Sequence, residues 1–162
     1  MNPIYAQILR QTRTIARELG RDVPVRVLIV DEDSGFSTQL ARQLRRSDRA
    51  MFEVVNAEPE QASQLLREQQ WDVCVLDTQL GKIGGLEIVN CLHDEGIHFP
   101  FIIATTDSEQ HREAMSHDCM GFFSKPMTTD QTAVAILDAI KNYSTRCVTS
   151  CASNGTQPCT TP

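Results

Sequence analysis

Two hydrophobic rhythms alternate along residues 25 to 143. Short aliphatic runs read as strands at Val25 to Val30, Met51 to Val55, Asp72 to Leu76, Pro100 to Ala104 and Gly121 to Ser124. Between them, apolar residues recur at helical spacing. Phe36, Leu40 and Leu44 mark a helix from Ser34 to Arg46. Ala62, Leu65 and Leu66 mark a second helix, opened by Glu58-Pro59-Glu60. Proline suits a first helical turn, and acids suit the positive end of the helix dipole. Leu86, Ile88, Val89 and Leu92 mark a third, begun after Gly84-Gly85 and stopped at Gly96. Ser108 to His117 reads as a polar fourth helix. Thr128 to Tyr143 reads as a fifth, with Val134, Ile136, Leu137 and Ile140 on its apolar stripe.

Repeated strand-then-helix units predict an α/β fold, a parallel sheet with helices on both faces. The strands lack internal polar alternation, which predicts burial on both sides. Right-handed crossovers leave few arrangements, and the common five-stranded one has the order 2-1-3-4-5. Residues 1–24 form a helical extension in this reading. Tyr5, Ile8, Thr12, Ile15 and Leu19 give it a heptad-like stripe, and Gly20 stops it. That stripe offers a route to a homodimer, although two heptads are short for a coiled coil. Residues 144–162 hold eight Ser or Thr among nineteen residues and predict a flexible tail.

Charge changes the picture in one respect. The chain of 162 residues carries a net charge of -6, but residues 25–143 alone hold 10 basic and 19 acidic side chains. Such a domain is not built for direct nucleic-acid contact, which needs a basic face. It suits carboxylates gathered around a metal. No apolar run reaches the length of a membrane span, and no secretory signal pattern opens the chain, so a cytoplasmic location is expected. The six cysteines include no C-x-x-C pair. Cys74 and Cys91 fall inside apolar patterns and are expected to be buried, and Cys147, Cys151 and Cys159 lie in the tail. His93, His98, His111 and His117 lack ligand-like spacing and read as surface residues.

In an open α/β sheet the site lies at the carboxyl ends of the strands. Asp31, Glu32 and Asp33 follow the first strand, Asp77 the third, Thr105 and Thr106 the fourth, and Lys125 and Pro126 the fifth. The predicted strand order brings these to one rim. Crowded carboxylates repel unless a cation sits among them, and oxygen ligands favour a hard ion such as Mg2+, with Mn2+ as the alternative. A lysine and a threonine hydroxyl beside them would suit a phosphoryl group.

Together these pieces resemble the receiver domain of response regulators in two-component signalling, the CheY-like superfamily. The resemblance spans residues 25–143. Its segments are Val-Leu-Ile-Val-Asp31-Glu32, Val-Leu-Asp77-Thr-Gln-Leu-Gly-Lys-Ile-Gly-Gly85, Pro100-Phe-Ile-Ile-Ala-Thr105-Thr106 and Gly121-Phe-Phe-Ser-Lys125-Pro126. It implies a flavodoxin-like fold, with Asp77 as phosphoacceptor and Asp31 and Glu32 as the acids holding Mg2+. Asp77 and the backbone carbonyl of Gln79 would complete the metal set. Thr105 would hydrogen-bond the phosphoryl oxygens and Lys125 would pair with them. The Lys125–Pro126 peptide is a cis candidate. The donor would be a phosphohistidine on a sensor histidine kinase or a His-containing phosphotransfer protein.

The resemblance also implies a switch. Thr105 would move toward the phosphoryl group and Phe122 would turn into the space it leaves. The face of the fourth helix, fifth strand and fifth helix (residues 108–143) would then meet a downstream protein. Three positions depart from the family pattern. Gly81 stands where proline is frequent, which predicts a looser loop. Thr106 follows Thr105 where a smaller residue is common. Phe122 has no hydroxyl and would signal by packing alone.

No output domain follows residue 143 in this sequence, so the expectation is a stand-alone regulator, acting by protein contact or as a phosphate-relay intermediate. It would be no enzyme beyond its own phosphorylation and dephosphorylation at Asp77. Two rivals stand beside this reading. One is a receiver-shaped scaffold that is never phosphorylated. The other takes Asp31-Glu32-Asp33 as the D-x-D of haloacid-dehalogenase-type phosphatases, with Asp31 as nucleophile and Asp33 as acid/base. That family expects an acidic pair after the lysine, whereas only isolated Asp130 and Asp138 follow here.

Overall fold

A computed structural model describes residues 24–47, 52–106, 119, 121–125, 128, 134–136 and 138–140. The helices expected at 3–19 and 108–117, the Lys125–Pro126 peptide and the tail with its three cysteines lie outside these residues.

The strands are β1 (Val25–Val30), β2 (Phe52–Ala57), β3 (Val73–Asp77), β4 (Phe101–Thr105) and β5 (Gly121–Ser124). The helices are α1 (Ser34–Ser47), α2 (Pro59–Glu68) and α3 (Gly85–Asp94), and 134–136 and 138–140 are also helical. All neighbouring strands run parallel, in the order β2-β1-β3-β4-β5. The order follows from the central strands: β1, β3 and β4 are buried on both faces and must be flanked.

Alternate residues of the central strands supply two cores. Val27, Ile29, Val75 and Ala104 pack toward α1 and the 134–140 segment, against Leu40, Leu44 and Ile136. Leu28, Val30, Leu76 and Ile103 pack toward α2 and α3, against Leu66, Val89 and Leu92. Each such fully buried aliphatic side chain contributes about 1.5–3 kcal/mol.

Several expectations are corrected. In β2 Glu53 and Asn56 face water, one on each side of the strand, because it forms one edge of the sheet. It also runs to Ala57, two residues past Val55. Asp77 and Thr105 close their strands instead of following them, since the parallel ladder pairs Asp77 with Ala104 and Thr105 with Ser124. Cys91 is exposed: the inward stripe of α3 runs through Ile88, Val89 and Leu92, and Cys91 falls beside it. Cys74 is buried as expected, and burial pushes its thiol far up. His93 is half-buried and packs its ring near His98, Phe99 and Phe101, so it is no free surface residue.

Gly96 ends α3 as its sequence position predicted. Its φ of +79° is left-handed, and it lets Ile97 N–H reach back 2.8 Å to the carbonyl of Leu92.

Candidate functional site

The chain reverses its direction across the sheet between β1 and β3, and the two strand ends there present acids. Asp31 leaves β1 into the interior, its side chain 1% exposed. One oxygen, Oδ1, accepts the Asp33 amide at 2.7 Å, and Oδ2 accepts the Lys125 ammonium at 2.5 Å. Asp77 ends β3. Its Oδ1 accepts the Gln79 amide at 3.0 Å and its Oδ2 accepts Lys125 Nζ at 2.7 Å. Lys125 thus bridges two carboxylates from two strands. Its backbone amide donates to the Thr105 carbonyl at 2.7 Å, and its Nζ lies 4.7 Å from the centroid of the Phe36 ring. The lysine is therefore fixed at its root and at its tip.

Burial raises the Asp31 carboxyl above the ordinary aspartate value, and hydrogen bonds from Lys125 and the Asp33 amide only partly offset this. For Lys125 burial works downward. The hydrogen bonds to Asp31 and Asp77 outweigh it and hold the ammonium above the usual lysine range. The directions are compatible, because Lys125 has two acidic partners.

The three acids after β1 have separate places. Asp33 caps α1, its Oδ1 accepting the amides of Gly35 at 2.9 Å and Phe36 at 3.0 Å. A capping carboxylate is poorly placed as the acid/base of a D-x-D phosphatase. Glu32 is exposed, and its Oε1 would lie 2.9 Å from a β-carbon on Gly81. It therefore reaches over the loop that follows Asp77.

The loop expected to be looser for want of proline closes through a turn at Gly81. Gly81 adopts φ +56°, and the Ile83 amide donates to the Leu80 carbonyl at 3.0 Å. Proline, fixed near φ -65°, could not take this conformation. At the far end of the loop Gly85 N–H donates to the Thr78 carbonyl at 3.1 Å.

Thr105 is buried, and its hydroxyl accepts a hydrogen bond from the Thr78 hydroxyl at 2.9 Å. Strand alternation puts both on the face that carries Leu76 and Ile103, opposite to the face of Asp77. Thr78 was missed in the sequence. The signal was present: pairing Asp77 with Ala104 puts Thr78 beside Thr105. Phe122 is half-buried on that same face, in register with Ile103, while Thr106 points to water. The structure gathers Asp31, Asp77 and Lys125 at one point, keeps Glu32 and Gln79 at the margin, and turns Thr105 toward Thr78. Pro126 is outside the described residues.

The bridging ammonium is a test for a metal. One cation meets Asp31 Oδ2 and Asp77 Oδ2 together, so the two oxygens converge. Among the described residues no three acidic, histidine or cysteine side chains are grouped to enclose an ion. Two converging carboxylates fit Mg2+, which commonly takes one or two and retains several waters.

The sequence model of the response regulator receiver domain family matches residues 27–137, more than half of the chain. The chain belongs to that family. This receiver is 29% identical over 129 residues to the polar-differentiation response regulator DivK of Brucella anthropi, covering 75% of this chain and 97% of DivK. It is 23% identical over 111 residues to the Arabidopsis thaliana protein ARR21, covering 68% of this chain but 18% of ARR21. The receiver thus spans a minor part of ARR21, and likewise 35% of the Bacillus subtilis regulatory protein PhoP. Its fold matches the receiver domain of the Francisella response regulator 1452 with a TM-score of 0.65 at 19% identity, over 74% of this chain and 98% of that one. A CheY-like receiver from Methanospirillum hungatei matches with a TM-score of 0.66 at 17% identity, over 76% and 98%.

Proposed function

We propose that this receiver accepts a phosphoryl group on Asp77 and uses the event to change a protein-binding face. The observation that carries the reading is the bridge of Lys125 between Asp77 Oδ2 and Asp31 Oδ2. It pairs the acid that would be modified with a fixed cation, in a setting where the Asp77 side chain keeps 16% of its surface open to a donor.

In the proposed step an oxygen of Asp77 attacks the phosphorus of a phosphohistidine on a sensor kinase or phosphotransfer protein. The new bond is Oδ–P and the broken bond is P–N. The imidazole leaves and takes up a proton. Lys125 follows the charge, exchanging a carboxylate partner for phosphoryl oxygens, a stronger charge-assisted contact. The Gln79 amide holds Asp77 in its rotamer while this happens. Thr105 supplies a hydroxyl once it leaves Thr78. Mg2+ would be held by Asp31 and Asp77, with Glu32 and the Gln79 carbonyl beside them, and would neutralise the charge gathering on the phosphoryl oxygens.

Output is proposed at residues 108–143, by contact with a downstream protein or by onward relay. The chain turns over no substrate beyond its own phosphoryl group, and a cytoplasmic site of action matches a kinase-linked receiver. No helix among the described residues is long and apolar enough to cross a membrane.

Incubation with acetyl phosphate and Mg2+, followed by intact mass, tests the reading. The expected gain is one phosphoryl group, lost with EDTA and lost in Asp77→Asn. No gain in the native protein, or an equal gain in Asp77→Asn, would overturn it.

A further inference from the structure

The Thr78–Thr105 pair lies outside the Asp31–Lys125–Asp77 bridge, yet it sits where the proposed switch would begin. Thr78 is 7% exposed and Thr105 2%, and their hydroxyls are 2.9 Å apart. The backbone fixes this pairing. The Thr78 amide continues the β3–β4 ladder to the Ala104 carbonyl at 3.4 Å, and the Thr78 carbonyl receives Gly85 N–H at 3.1 Å. Thr78 is thus anchored on its own side by the Gly85 amide, and its amide keeps it in register with β4. Thr105 in turn carries Lys125 through a 2.7 Å backbone hydrogen bond and shares its face with Phe122.

We propose that Thr78 is a positioning residue: its hydroxyl tethers Thr105 on the α2–α3 face of the sheet and so sets how strongly this receiver rests in its unphosphorylated state. The inference deepens the phosphoacceptor reading and rests on it. In this reading phosphorylation works against the tether: Thr105 accepts the Thr78 proton at rest and must re-aim its own hydroxyl from the Thr78 face toward the Asp77 face to meet the phosphoryl oxygens. The tether is specific in chemistry. A buried hydroxyl–hydroxyl bond is lost with valine, which keeps the shape, and kept with serine, which drops only the methyl group.

The test uses the full chain as native protein, Thr78→Val and Thr78→Ser. Two readouts are taken: the rate of phosphorylation by acetyl phosphate with Mg2+, and the backbone amide resonances of Thr105 and Lys125 without phosphodonor. A single buried hydrogen bond corresponds to about a three- to tenfold shift of such an equilibrium. Thr78→Val is expected to react about three- to tenfold faster than native and to move both resonances toward their phosphorylated positions. Thr78→Ser is expected to restore both. A thermal melt checks that each variant unfolds cooperatively. Thr78→Val at or below the native rate with unmoved resonances overturns the tether, as does a serine variant that follows valine. If the native protein takes no phosphoryl group, the phosphoacceptor reading fails and the tether falls with it. If the native protein is phosphorylated and Thr78→Val is unchanged, the tether alone fails.

Discussion

A β-carbon on Gly85 would lie 2.1 Å from the carbonyl oxygen of Asp77. The first turn of α3 is thus packed onto the backbone of the proposed phosphoacceptor, closer than any side chain permits. The glycine is needed here for approach rather than for backbone freedom. Gly85→Ala must push α3 or the end of β3 aside. Overpacking of this kind costs about 1–3 kcal/mol. Urea melts are expected to show that loss, together with slower phosphorylation by acetyl phosphate. A variant with native stability and native rate would mean that the contact yields easily.

Gly81 makes the opposite kind of demand. Its φ of +56° excludes proline, although proline is frequent at that place in the family. Gly81→Pro, which restores the common residue, is expected to lower the melting temperature instead of raising it. The substitution loses about 1–3 kcal/mol through strain in the turn. A stabilised Gly81→Pro variant would show that the loop adopts the common form at no cost.

Removing Lys125 leaves Asp31 and Asp77 facing each other without their shared cation. Lys125 is 12% exposed, so the pair lies between a surface and a buried bridge. Lys125→Met is expected to cost about 1–3 kcal/mol at pH 7 in metal-free buffer. Its stability should recover as pH falls and buried Asp31 takes up a proton. Adding Asp31→Asn should return part of the loss. Equal losses with and without Asp31→Asn would show that the cost is packing and not charge.

Asp31 alone has a predictable pH signature. Its folded carboxyl is raised, first by burial, with the Lys125 and Asp33 hydrogen bonds opposing. A raised group favours the fold below its unfolded value, near 3.9, and that contribution is lost as pH rises through the folded value. Ionised Asp31 therefore weighs against folding at neutral pH. Asp31→Asn is expected to be more stable than native at pH 7 without metal, and the gap should close toward pH 3.5. Denaturant midpoints across that range measure it, and a less stable Asp31→Asn at pH 7 would reverse the balance argued here. Lys125 carries the mirror case: its raised value keeps its contribution intact until alkaline pH.

Much of the site was legible because its residues punctuate the sheet. Asp31, Asp77 and Lys125 each stand at the end of an apolar run, and strand order then decides that they meet. Other features depend on quantities that a residue pattern does not carry. The sign of φ at Gly81 is one. The side of α3 on which Cys91 falls is another, since one residue separates it from the buried Val89–Leu92 stripe. The exposure of β2 was written in Glu53 and Asn56 but gained meaning only from the edge position. Thr78 was hidden because a hydroxyl just past a strand end is unremarkable until its neighbour across the ladder is known. The role expected of Thr105 is correspondingly refined: at rest its hydroxyl meets Thr78, and the phosphoryl contact requires a movement.

The central claim is that Asp77 carries the phosphoryl group. Borohydride reduces an aspartyl phosphate to homoserine, which marks the site permanently. The receiver should be treated with acetyl phosphate and Mg2+, reduced, digested and sequenced by mass spectrometry. Homoserine is expected at position 77, in the peptide containing Val75, Leu76 and Thr78. Homoserine at position 31, or none at any aspartate, would contradict it.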